Sequence, residues 1–162
     1  MRALTVLAGT FAALAAFPVA SSLARQSAVG DGCFVVRDGF GIVDIKGRGT
    51  VLGRFDEGQV TIDDPLPDDG TLKVYGAEQK VSLSDTKARY SGFEVRFRAS
   101  GRTHIRIEAR FVDLSAVGRA SVSIDADDFA FAGTFSIDTE SFCQEGFQPI
   151  PDQSKQLVIG SG

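Results

Sequence analysis

From Gly32 onward, apolar and polar residues alternate at period two in short runs, broken by Gly, Asp and Pro at intervals of about 8 to 12 residues. This pattern predicts an antiparallel all-β domain. Strands are expected at about 33 to 37, 41 to 46, 49 to 55, 59 to 63, 71 to 75, 79 to 84, 90 to 98, 103 to 111, 119 to 125 and 129 to 137. No window after the first 24 residues sustains a helical period. The stretch Asp63-Asp64-Pro65-Leu66-Pro67-Asp68-Asp69-Gly70 reads as a loop, because Pro has no donor for a ladder and Asp and Gly favour turns.

The clearest unit runs from Phe93 to Phe111. Phe93, Val95 and Phe97 alternate with Glu94, Arg96 and Arg98. After Ala99-Ser100-Gly101 the alternation resumes, with Ile105, Ile107, Ala109 and Phe111 set between His104, Arg106, Glu108 and Arg110. One face should be buried and the other wet. A three-residue loop ending in Gly101 would set Arg98 opposite Arg102 and Glu94 opposite Arg106. An internal echo accompanies it. Val43-Asp44-Ile45, Gly47-Arg48-Gly49-Thr50-Val51 and Val60-Thr61-Ile62-Asp63 resemble Val112-Asp113-Leu114, Gly118-Arg119-Ala120-Ser121-Val122 and Phe135-Ser136-Ile137-Asp138. Two related hairpins in the two halves of a sandwich would produce this, as would the convergence of ordinary hairpins.

The first 24 residues change the setting. Arg2 precedes an uncharged, mostly apolar stretch to Ala20, followed by Ser22-Leu23-Ala24, the three-part pattern of a secretory signal peptide. Left uncut, the same stretch is long enough to anchor the chain in a bilayer. Pro18, Ser21 and Ser22 interrupt the apolar run and favour cleavage, with the mature chain beginning near Arg25. The expected division is therefore a leader over 1–24, one β-domain over 25–148, and a mobile tail over 149–162 whose Leu157-Val158-Ile159 could add an edge strand. The mature part has the size of a single domain with one core. The fold expected is a single antiparallel β-sandwich or flattened barrel of about 8 to 10 strands. Two repeats at irregular spacing argue against a β-solenoid.

Export gives the cysteines a meaning. Cys33 and Cys143 are expected to form a disulfide, since neither has a second cysteine or a histidine nearby and secreted domains use such bonds as staples. The absence of Asn and the excess of Arg over Lys fit a GC-rich bacterial genome. The expected location is thus secreted or extracytoplasmic, in a periplasm or cell envelope, with no transmembrane segment after cleavage.

Formal charge is −4, and every acid lies after the leader, so bulk nucleic-acid binding is not expected. Catalysis finds little support. The chain has one histidine, no Gly-x-Ser-x-Gly elbow and no Trp, and its glutamates cannot be placed across a cleft from sequence. A zinc site would have to rest on carboxylates. The chain is therefore read as non-enzymatic.

Two surfaces remain as candidates. Arg96, Arg98, Arg102, His104, Arg106 and Arg110 line the polar side of the Phe93–Phe111 unit and would suit a phosphate- or carboxylate-bearing envelope component, or an acidic protein. The plain alternative is a solvated strand face laced with Glu94 and Glu108. Asp125, Asp127 and Asp128, with the loop from Asp63 to Asp69, concentrate hard oxygen ligands that could hold calcium, although neither segment has EF-hand spacing. The expected function is an exported binding or structural module of a bacterial envelope. A carrier with a Phe-lined interior holding an apolar ligand is the alternative, and a calcium-dependent binding module the third.

Overall fold

A computed structural model of the chain describes residues 31–126, 133–138 and 143–160. The expected leader, Asp127, Asp128 and the first residues of the strand read at 129 to 137 lie outside the described residues. Seven strands form one antiparallel sheet that does not close. They are β1 (Gly32–Asp63), β2 (Thr71–Tyr75), β3 (Gln79–Ser82), β4 (Lys87–Asp125), β5 (Thr134–Asp138), β6 (Gln148–Pro149) and β7 (Lys155–Ile159), with a 3-10 turn at Pro67–Asp69.

β1 and β4 span 32 and 39 residues. Unbent, β1 alone would reach about 100 Å at the usual rise per residue. Instead both fold back and forth, so that β1 pairs with β4 along both of its edges. Ile45 lies between Ile105 and Val122, Leu52 between Arg98 and Ser115, and Val60 between Tyr90 and Ile107. The expected strands at 33–37, 41–46, 49–55 and 59–63 are therefore limbs of one strand, and those from 90 to 125 are limbs of another.

The bends fall on two rows of residues that run across the sheet. In the first row Gly32 pairs with Gly118, Gly118 with Gly49, and Gly49 with Gly101; in the second Gly41 pairs with Ala109, Ala109 with Gly58, and Gly58 with Gly92. Glycine is needed here because a bending strand brings backbones together. A Cβ on Gly49 would stand 2.2 Å from the Val117 carbonyl oxygen, and one on Gly118 would stand 2.3 Å from that of Arg48. Strands that switch layers at such corners build the two layers of a sandwich or flattened barrel. One layer holds limbs 32–38, 49–55, 95–101 and 112–118 with β2, β5 and β6. The other holds limbs 41–47, 58–63, 87–92, 102–109 and 119–125 with β3 and β7.

The two rows bend differently. Across the first, the inward face keeps its phase, from Ile45 to Val51, Ala99 to Thr103, and Ala116 to Val122, all buried. Across the second it slips by one residue, from Val36 to Val43, Tyr90 to Val95, and Ala109 to Val112. The extra residue in each case adopts a left-handed backbone: Asp38 at φ 49°, Glu94 at 51° and Phe111 at 53°. These are bulges, which re-aim the side chains that follow.

Inward residues of both layers make one core around Phe34, Phe55, Phe135, Ile62, Ile105, Ile107 and Ile124. The rings of Phe34 and Phe135 lie 6.1 Å apart. Cys33 and Cys143 are bonded, with Cα atoms 5.8 Å apart, and tie the first limb of β1 to the segment after β5.

Two expectations are corrected. Ala99-Ser100-Gly101 is not a hairpin loop: β4 runs through it, because Gly101 at φ 99° bends the strand without reversing it. Arg98 consequently faces Leu52 and Lys73, and Arg102 faces Arg48. The echoed segments are not hairpins either. Residues 43–51 and 116–124 are antiparallel neighbours crossing the same glycine row, and the shared Gly-Arg marks the bend. Leu157-Val158-Ile159, expected as the edge strand that the tail could add, lies in β7, which pairs with β4 from Ala120 to Ile124 and buries Ile159.

Candidate functional site

Because the first row preserves phase, the polar side of β4 stays outward around the bend. The sequence's arginine series therefore divides into three environments. Arg96 and Arg98 lie on the outer face of the β2-containing layer, Arg102 at the corner, and His104, Arg106 and Arg110 on the opposite layer.

The last group is largely neutralised. His104 Nε2 lies 2.9 Å from Asp44 Oδ1, and Arg106 Nε donates to Glu108 Oε1 at 2.7 Å. Arg110 Nη1 lies 3.5 Å from Glu57 Oε2. The Arg106 hydrogen bond holds the Glu108 carboxyl below the usual carboxylate range. Arg106 and Arg110 make ion pairs of ordinary kind and His104 a hydrogen bond, each worth little at such exposure.

The first group is different. Arg96 stands between Arg54 and Tyr75, and Arg98 between Leu52 and Lys73. Like charges directly opposite each other destabilise a strand pair. Among the described residues only Arg54 of these cations has an acid: its Nε donates to Asp113 Oδ2 at 2.8 Å, while Asp113 Oδ1 accepts the Asp38 N–H at 3.1 Å. Asp113 thereby links two limbs and fixes one guanidinium in place. Arg37 stacks on Phe147, 4.0 Å from the ring centre. A shallow groove of about 630 Å³ runs among Val35, Arg37, Leu52, Arg54, Arg96 and Ser115, with Leu52 47% exposed on its wall.

At the corner the crowding is greater. Arg48 lies directly between Arg102 and Arg119, and Lys46 between His104 and Ser121. Arg119 Nε is 3.5 Å from Asp31 Oδ1. The side chains of Lys46, Arg48 and Arg102 make no ion pair among the described residues. They border a cleft of about 700 Å³ with Thr103, His104, Asp63 and Pro65. One wall is the loop after β1, held down where Asp69 Oδ1 and Oδ2 accept the Arg102 N–H at 3.2 Å each.

Four members of this basic surface, Lys46, Arg48, Arg54 and Lys73, escaped the sequence reading. They come from β1 and β2, and their closeness to Arg96, Arg98 and Arg102 depends on long-range register. The repeated Gly-Arg at 47–48 and 118–119 was the available signal, since it places two arginines on one bend.

The acidic loops serve structural roles as far as they are described. Asp63 Oδ1 accepts the Thr86 hydroxyl at 2.8 Å, and Asp69 caps the Arg102 N–H. Asp64 is buried, its Oδ1 has no hydrogen-bond partner, and desolvation pushes its pKa up. Asp125 ends β4 half-buried, while Asp127 and Asp128 lie outside the described residues. Among the described residues no group of three or more His, Cys, Asp or Glu is placed to hold a metal ion.

Fold and surface together define an all-β, disulfide-stapled domain with a cationic face wrapped around one corner. No protein-family model, curated protein or solved structure matches the chain.

Proposed function

We propose that this chain is an exported, non-enzymatic binding module of a bacterial envelope that holds an extended anionic partner on its basic face and corner. The observation that carries the reading is a set of like-charge neighbours in which Arg96, Arg98, Lys73, Arg48 and Arg102 make no ion pair among the described residues: Arg96 beside Arg54, Arg98 beside Lys73, and Arg48 beside Arg102. Each costs stability in an isolated domain, and a partner's phosphates or carboxylates would relieve all three at once. The cations follow the outer face of one strand into the bend at Gly101, six residues or about 20 Å of chain from Arg96 to Arg102 at the rise of a strand. That suits a repeating anion better than a single small one.

The disulfide fits an oxidising compartment. Among the described residues no helix is long and apolar enough to cross a membrane. The carrier alternative draws less support, since Phe34, Phe55 and Phe135 occupy the interior with no measurable exposure.

The test is co-sedimentation of the exported, disulfide-bonded protein with bacterial envelope fractions across a salt series. Wild type should pellet at low salt and be released as salt rises. Arg96→Glu with Arg98→Glu should abolish pelleting, whereas Arg106→Glu, whose charge is already matched, should weaken it little. Equal binding by wild type and R96E/R98E would refute the proposal.

A further inference from the structure

We infer that copies of this protein associate head to tail, the aromatic edge of one seated against the arginine row of the next. The aromatic edge is the second, bulged row of bends. In order across it stand Tyr75 on β2, Phe93 and Glu94 on β4, Asp56 and Glu57 on β1, then Arg110 and Phe111 on the next limb of β4 and Phe40 on β1.

Tyr75, Phe93 and Phe111 are the three aromatic side chains exposed among the described residues, at 59%, 61% and 49%. All three fall on this edge. Phe111 does so from a left-handed backbone, which a bulky residue seldom adopts. Its ring packs edge-on against Phe40 with centres 4.6 Å apart, so it is held outward in one orientation. Among the described residues the three non-glycine positions with positive φ, Asp38, Glu94 and Phe111, all lie along this edge. Strain gathered at one exposed aromatic edge is the mark of an interaction site.

What fits it is decided by charge. Asp38, Asp56, Glu57 and Glu94 fall in the same row as the rings, and the cations near it are Arg110, 3.5 Å from Glu57, Arg54, paired with Asp113 and drawn on by Asp56 and Asp38, and Arg96 opposite Tyr75, so acids outnumber cations there. A matching surface must offer cations able to lie flat on Phe rings between carboxylates, and guanidinium groups do this best. The glycine-row corner presents Arg48, Arg102 and Arg119 side by side. The two edges sit at opposite ends of the limbs, about eight residues or roughly 26 Å apart, so one copy cannot satisfy itself. A contact between unlike edges leaves each copy with one free edge of each kind, so association continues beyond the dimer, to a ring or an open chain.

This inference shares Arg48 and Arg102 with the anion-binding surface but rests on the opposite edge, so the two can fail separately. The experiment is sedimentation velocity on the mature disulfide-bonded protein over a concentration series. Wild type should gain mass with concentration at low salt and lose at least about tenfold in association constant at high salt. Phe93→Ser with Phe111→Ser should remain monomeric while still binding envelope fractions, and R96E/R98E should associate while failing to bind them. Arg48→Glu with Arg102→Glu, and Asp56→Lys with Glu94→Lys, should each be monomeric alone and associate when mixed, because each then supplies the edge the other lacks. A wild-type protein that stays monomeric up to about 1 mM, or a mixture that fails to associate, would overturn it.

Discussion

Replacing Gly49 by Ala tests the bend on which the whole arrangement depends. Gly49 lies between Gly101 and Gly118, and an added Cβ would sit 2.2 Å from the Val117 carbonyl oxygen and 2.9 Å from the Gly118 Cα, where 3.4 Å is ordinary contact. Both obstacles are backbone, so no side chain can swing away. Relief requires the 112–118 limb to retreat by about 1 Å, which breaks two or three ladder hydrogen bonds at about 1 kcal/mol each. It also loosens the packing of Ile45, Val51 and Ala116 beneath the bend. The sum is about 3 to 5 kcal/mol, a large part of the stability of a domain this size. At about 3 to 5 °C per kcal/mol, Tm should fall by about 10 to 20 °C. Thermal and urea unfolding of the disulfide-intact protein, followed by far-ultraviolet circular dichroism, would measure it. Gly146→Ala is the control: its φ is +70° with nothing within 4 Å, so only the conformational cost of about 1 to 2 kcal/mol applies. If G49A is no more destabilising than G146A, the strands do not approach at this row and the corner is misplaced.

Other outcomes follow from the same geometry. Cys33→Ala with Cys143→Ala opens a crosslink of sequence separation 110 and should cost about 4 to 5 kcal/mol in the chain-entropy treatment, read as a lower urea midpoint. Asp64→Asn should raise stability near neutral pH by about 1 kcal/mol, the order of cost of one unpaired buried polar group. Burial raises the folded pKa of Asp64 above its ordinary 3.8, so its contribution is favourable at low pH and is lost as pH rises through the folded value. Urea midpoints of wild type and D64N should therefore converge on acidification; a constant gap would contradict this. Glu108 has the opposite sign. Its folded pKa is lowered by Arg106, so its contribution is present above the ordinary 4.5 and lost as pH falls through the folded value, a slope that Glu108→Gln should remove.

The period-two pattern carried the fold class, the limb positions and the cysteine pair, because all three depend on local alternation or on elimination among few residues. What it could not carry was connectivity. Ala99-Ser100-Gly101 has the composition of a hairpin loop, and only the register shows that the strand continues through it. Preserved phase across Gly101, with Ala99 and Thr103 both inward, is compatible with a bend or a reversal, and sequence has no term to separate them. The bulges at Asp38, Glu94 and Phe111 were equally hidden, since none is a glycine. For the site, the arginines of β4 were visible as a series, but their meaning depends on partners from β1 and β2. Arg106 meets Glu108, whereas Arg96 meets Arg54.

The central claim is that the unneutralised cations of this surface exist to hold an anionic partner. Its most direct measurement is the salt dependence of envelope binding by wild type beside R96E/R98E, both first shown to be folded and disulfide-bonded. The account predicts binding for wild type that falls at least about tenfold between low and high salt, and none for the variant at any salt. Binding that is absent in wild type, or insensitive to both salt and the charge reversal, would contradict it.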